Sequence, residues 1–101
     1  MIVIKEGSTG YIQVVTKVEG VPVDLTSTQA KIYASDKTTV EDTFTISDPE
    51  LSRTGIGTYR LEIDTTAAGL DLSAGRYYIE LSGIFNTKTY LDREAFEVRF
   101  V

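Results

Sequence analysis

The side chains that most often do chemistry near neutral pH are missing from this sequence: its 101 residues include neither histidine nor cysteine. An imidazole base, a thiolate nucleophile and most zinc ligand sets go with them. Two arrangements remain available, a carboxylate pair of the glycosidase kind and a serine activated by lysine, and each needs groups converging in a pocket. The fifteen acidic residues fall mostly on the outward half of alternating strands, where they form a solvated face. No catalytic residue is assigned.

Calcium is the one metal with a chemical case, because Asp36, Asp42, Asp48, Glu50, Asp64, Asp71 and Asp92 fall at or near expected strand ends, where oxygen ligands can gather. No calcium-loop motif organises them, and Asp is frequent in turns for its own backbone hydrogen bonds. Neither a metal nor a cofactor is expected.

Aromatic residues are the other candidate binders, through sugar stacking or as anchors of an interface. Parity places Phe44, Tyr59, Tyr77, Phe96 and Phe100 on the inward rows of their strands. Tyr33 and Tyr78 sit on the polar parity and are candidate contact residues. Ile84 and Phe85, between Gly83 and Asn86 at an expected hairpin end, either protrude as an anchor or, for Phe85, fold inward as a cap. Tyr90 completes the set of aromatics open to a ligand.

Strands must carry all of these residues. Ile2 to Lys5 is a short first strand, followed by a turn-rich Glu6 to Gly10 and a longer strand from Tyr11 to Val18. Pro22 makes Val21 to Thr26 an edge or crossover. Ala30, Ile32 and Ala34 mark a half-buried strand, and Val40, Phe44 and Ile46 another, with a bulge or bend near Asp42. Ser47 to Gly57 is a loop by composition. Tyr59, Leu61 and Ile63 alternate cleanly, Thr65 to Leu72 holds one helical turn capped by Asp64 or Thr65, and Tyr77, Ile79 and Leu81 begin the next strand. Gly83 through Lys88 turns the chain into a last strand, Tyr90 to Val101. About seven strands at sandwich-like spacing predict an all-β, immunoglobulin-like antiparallel β-sandwich, one domain over residues 1–101.

Apolar residues at 42 % and charged residues at 25 % are a globular balance. With a net charge of −5 and dispersed Lys and Arg, no basic stripe exists for nucleic acid or anionic lipid, and the apolar run Met1 to Ile4 is too short for a membrane span. The absence of cysteine permits folding in a reducing cytosol.

Two segments look familiar together: Glu19-Gly20-Val21-Pro22-Val23-Asp24-Leu25-Thr26, and Leu72-Ser73-Ala74-Gly75-Arg76-Tyr77-Tyr78-Ile79-Glu80-Leu81. With the Ala-Lys-Ile-Tyr strand between them, their order resembles the Ig-like domains of tailed-phage virion proteins, the N-terminal domain of the baseplate upper protein being the nearest. The resemblance spans about residues 8 to 100. It implies a structural module without enzymatic activity, in a tail, baseplate or capsid decoration, folded in the bacterial cytoplasm and carried in the virion. Met1 as an initiator, with no signal peptide, agrees with that compartment. The expected partners are other virion proteins or further copies of the chain, reached along the edge strand of Ile2, Val3 and Ile4 and along the last strand. The alternative is a module binding carbohydrate or a cell surface through Tyr33, Tyr78, Phe85 or Tyr90. Within the fold itself, Tyr77 or Tyr78 can anchor the corner after Gly75 through its hydroxyl.

Overall fold

The alternation of Tyr59, Leu61 and Ile63 becomes a strand whose inner row is these three buried residues and whose outer row holds Arg60 and Glu62. The same rule organises most of the chain. The computed structural model describes residues 2–100, with ten strands and no helix among them. Met1, read as an initiator, and Val101, the end of the last expected strand, lie outside the described residues.

The strands are β1 (Ile2–Lys5), β2 (Thr9–Val15), β3 (Lys17–Val18), β4 (Val21–Pro22), β5 (Thr26–Tyr33), β6 (Val40–Thr45), β7 (Leu51–Gly55), β8 (Thr58–Asp64), β9 (Gly75–Phe85) and β10 (Lys88–Arg99). They form a five-stranded sheet in the order β1-β10-β9-β5-β6, a three-stranded sheet β2-β8-β7 and a small ribbon β3-β4. All pairs are antiparallel except β1 on β10, which is parallel. The inward rows of the two larger sheets merge into one core: Ala30, Ile32, Tyr77, Ile79, Leu81, Phe96 and Val98 from one, Ile12, Val14, Leu51, Tyr59, Leu61 and Ile63 from the other. Each fully buried Val, Ile, Leu or Phe side chain among them stabilises the fold by about 1.5–3 kcal/mol.

The all-β reading stands at this level, and four details of it change. The expected seven antiparallel strands are ten in a mixed arrangement. Ser47 to Gly57, expected as a loop, contains β7, which pairs with β8 through Leu51↔Leu61 and Arg53↔Tyr59. Thr65 to Leu72 makes tight turns in place of a helical turn, with Leu70 N donating to Asp64 O and Gly69 N to Thr66 O. Asp64 does cap that turn, accepting from Thr66 N at 3.0 Å. Phe100, assigned inward by parity, is 86 % exposed, because the ladder with β1 ends at Lys5↔Arg99 and nothing packs over the next position.

The chain crosses between the two larger sheets four times, and the first two crossings are closely hydrogen-bonded. After β1 the chain passes to β2 through Gly7, whose φ is +81°, and the buried Thr65 hydroxyl oxygen accepts from Gly7 N at 2.8 Å and Ser8 N at 3.1 Å. The second crossing is the Val21 to Thr26 segment. Thr16, fully buried, donates its hydroxyl to Val23 O at 2.6 Å, and Leu25 N donates to the Tyr59 hydroxyl at 2.9 Å. Asp24 accepts from Gly57 N at 2.8 Å and from Arg53 Nε and Nη2 at 2.9 and 3.1 Å. That bidentate Arg53 contact, with the Gly57 amide, holds the Asp24 carboxyl below its usual pKa.

Candidate functional site

A strand with one buried face presents its other face to solvent, so the outward rows of the five-stranded sheet are where a partner can be met. Tyr33, the last residue of β5, stands opposite Tyr78 of β9, and Tyr78 stands opposite Ala95 of β10. One step along, Lys31 faces Glu80 and Glu80 faces Arg93. Because Ala95 is small, the face is hollow beside Tyr78, and a groove of about 520 Å³ opens there, lined by Tyr33, Lys37, Tyr78, Glu80, Arg93, Glu94 and Ala95.

Its electrostatics are paired. Arg93 Nε lies 2.9 Å from Glu80 Oε2, with the carboxylate largely covered and the guanidinium open to solvent. Lys37 Nζ sits 5.2 Å from the centre of the Tyr78 ring, within cation–π range. The groove therefore offers two phenol rings, a cation on an aromatic face and an ion pair, which is equipment for recognition. No nucleophile in it is held against a base.

Lys37 is delivered by the β5–β6 connection, which Asp36 builds. The Asp36 carboxylate accepts from Thr38 N at 2.9 Å, Thr39 N at 2.8 Å and the Thr39 hydroxyl. The Thr39 hydroxyl, then the two amides, pull its pKa from the usual 3.8 to about 2. A carboxyl whose folded pKa is depressed stabilises the fold above its unfolded pKa and loses that contribution as pH falls through the folded one. Asp36→Asn is thus expected to be less stable than the parent at neutral pH, with the gap closing between about pH 4 and about pH 2. Urea midpoints of both proteins across that range check it, and a gap that stays constant contradicts it.

The other contact residues expected from the sequence scatter. Ile4 is buried beneath β2 and Ile2 is half-buried against the core, because β1 pairs with the chain's own β10; of the three candidate residues on that strand only Val3 faces out. Those two belong to the core and not to an open contact edge. Ile84 is exposed on the outer row, whereas Phe85 packs inward as a cap. The turn beyond them is just Asn86-Thr87, both at positive φ, so Gly83 to Phe85 are strand. Tyr90 packs against the core, its hydroxyl oxygen 3.4 Å from Lys17 N. The sequence reading missed Lys37, Glu80 and Arg93, which carry no local signal: register brings Glu80 and Arg93 together, and the β5–β6 turn brings Lys37.

A second groove of about 490 Å³ is edged by Asp42, Glu50, Glu62 and Asp64. Among the described residues no cluster of three acidic side chains has the geometry to hold a metal ion. The Thr66 hydroxyl and amide lower the pKa of Asp64. A general acid needs the opposite shift.

No family model matches the sequence, and no curated protein does. Among solved structures, the endo-beta-1,4-mannanase from Thermotoga petrophila superposes with a TM-score of 0.63 at 18 % identity, covering 99 % of this chain and 18 % of that one. The likeness is one of fold.

Proposed function

We propose that this chain is an immunoglobulin-like docking module without enzymatic activity, built into a tailed-phage virion, and that it meets its partner through the outer face of the five-stranded sheet. The strand order supports the fold assignment: β2-β8-β7 corresponds to strands B, E and D, and β10-β9-β5-β6 to G, F, C and C′. So does Tyr77 at the start of β9, whose hydroxyl donates to Ser73 O at 2.8 Å in the manner of a tyrosine corner. Tyr77, not Tyr78, takes that role, which leaves Tyr78 free for the outer face. The observation that carries the docking role is the Tyr33–Tyr78–Ala95 row with Lys37 and the Glu80–Arg93 pair around one open groove.

A second reading is a carbohydrate-binding module. Adjacent Tyr33 and Tyr78 favour it as a stacking face, and one solved chain sharing the fold over 18 % of its length is named as a mannanase. One experiment separates the two. Particles purified on a density gradient from a phage-producing culture of the source strain are expected to contain the chain at a fixed ratio to the capsid protein. Absence from particles, with retardation of the domain by mannan in affinity electrophoresis that Tyr33→Ala and Tyr78→Ala abolish, turns the assignment to carbohydrate.

A further inference from the structure

Strand β10 is paired unevenly. On one side β9 accompanies it from Lys88 to Val98, but on the other β1 covers only Phe96 to Arg99. Among the described residues, Lys88 to Glu94 therefore form an open edge with half of their backbone donors and acceptors turned away from any strand. Such rows are templates for pairing with another chain.

We propose that this edge is the docking site for a second copy of the chain, the two β10 strands running antiparallel about a two-fold axis. The axis stands perpendicular to the sheet, so both cores lie on one side and opposing residues share a parity. Four centres of symmetry fall well within the edge. Asp92 at the centre sets that acid against itself. Arg93 at the centre sets two guanidinium groups together and Asp92 against Glu94. Tyr90 at the centre places Lys88 opposite Asp92 but uses only Lys88 to Asp92. Leu91 at the centre engages the whole of Lys88 to Glu94 and places Lys88 opposite Glu94 of the second copy at both ends. It also lays Leu91, 45 % exposed in the single chain, against itself. Charge complementarity excludes the Asp92 and Arg93 centres, and the longer engaged edge favours Leu91 over Tyr90. The free edge of β2, Thr9 to Val15, contains no charged residue and has nothing comparable to fix a register.

The dimer rests on the docking-module reading, since it uses the same sheet, and it leaves Tyr33 and Tyr78 on the outer face of each copy while drawing Glu94, at the rim of their groove, into the contact. Sedimentation velocity of the 101-residue chain over a concentration series is expected to show a dimer that dissociates on dilution. Lys88→Glu and Glu94→Lys each weaken it about tenfold, because two symmetry-related attractions become repulsions. The double reversal K88E/E94K restores the parent affinity to within about threefold. Both positions are exposed, and circular dichroism verifies that each variant is folded. A monomer at all concentrations, a dimer unmoved by the single reversals, or one that the double reversal fails to restore overturns the proposal. A monomer that still co-sediments with phage particles overturns the dimer alone, whereas a charge-sensitive dimer absent from particles overturns the virion reading alone.

Discussion

Gly57→Ala is expected to cost about 3–5 kcal/mol, lowering the thermal midpoint by about 15–30 °C for a domain of this length. Two independent penalties add. Gly57 has a φ of +63°, where an L side chain is strained, and a Cβ there would lie 2.7 Å from Val23 N, 2.8 Å from Thr16 O and 2.9 Å from Val23 O. All three are backbone atoms in a tightly bonded crossing, so none can swing aside. The same glycine donates to Asp24 and accepts from Thr16 N, so displacing it loosens the contact between the Val21 to Thr26 crossing and the β7–β8 hairpin. Gly20→Ala is the control. Its φ is +80° but no atom lies within 4 Å of the added methyl, and only the conformational penalty, about 1 kcal/mol, is expected. Thermal and urea unfolding of both variants check the pair, and equal losses would show that crowding at Gly57 contributes nothing.

Phe96→Ala is expected to cost a similar 3–5 kcal/mol. Phe96 is fully buried, faces Tyr77 across the β9–β10 ladder with ring centres 5.6 Å apart, and stands opposite Ile2 of β1. Removing it opens a cavity where the five-stranded sheet meets the core and strips the Tyr77 ring of its neighbour. Phe100→Ala, four residues on and of the same parity, is expected to change stability by less than about 0.5 kcal/mol. Urea midpoints at constant m-value measure both, and a large loss at Phe100 would contradict the exposed placement.

These two phenylalanines mark how far the sequence could be read. Period-two alternation is a local signal, and it located β8, β9 and the inner rows of β5 and β10 because each has one wet face. It does not say where a ladder stops, so Phe100 was carried inward past the last paired residue. Nor does it register an extra residue: β6 pairs Asp42 with Ile32 but Val40 with Tyr33, and this slip turns Val40 outward although Phe44 of the same parity is buried. β7 has Leu51 as its one buried residue, and its pairing with β8 defines it more than its own composition does.

The site divides along the same line. Tyr33 and Tyr78 were legible as outward residues. That they stand side by side, and that Lys37, Glu80 and Arg93 join them, depends on which strands neighbour one another, and no stretch of sequence records that. The partner of β1 was hidden for the same reason. Three apolar residues, Ile2 to Ile4, suit a contact with a neighbour as well as a place in the chain's own sheet.

That internal use of β1 gives the domain a mechanical property. β1 and the end of β10 run parallel and side by side, from Ile2↔Phe96 to Lys5↔Arg99. A pull applied through the two ends of the domain draws β1 backward and β10 forward along their common axis. The cross-strand hydrogen bonds then carry the tension in shear and must yield together, where an antiparallel hairpin opened from its end would release them one at a time. Forced unfolding is governed by the rate of that first rupture, so under such a pull the four-residue seam between the first and last strands is where resistance is set.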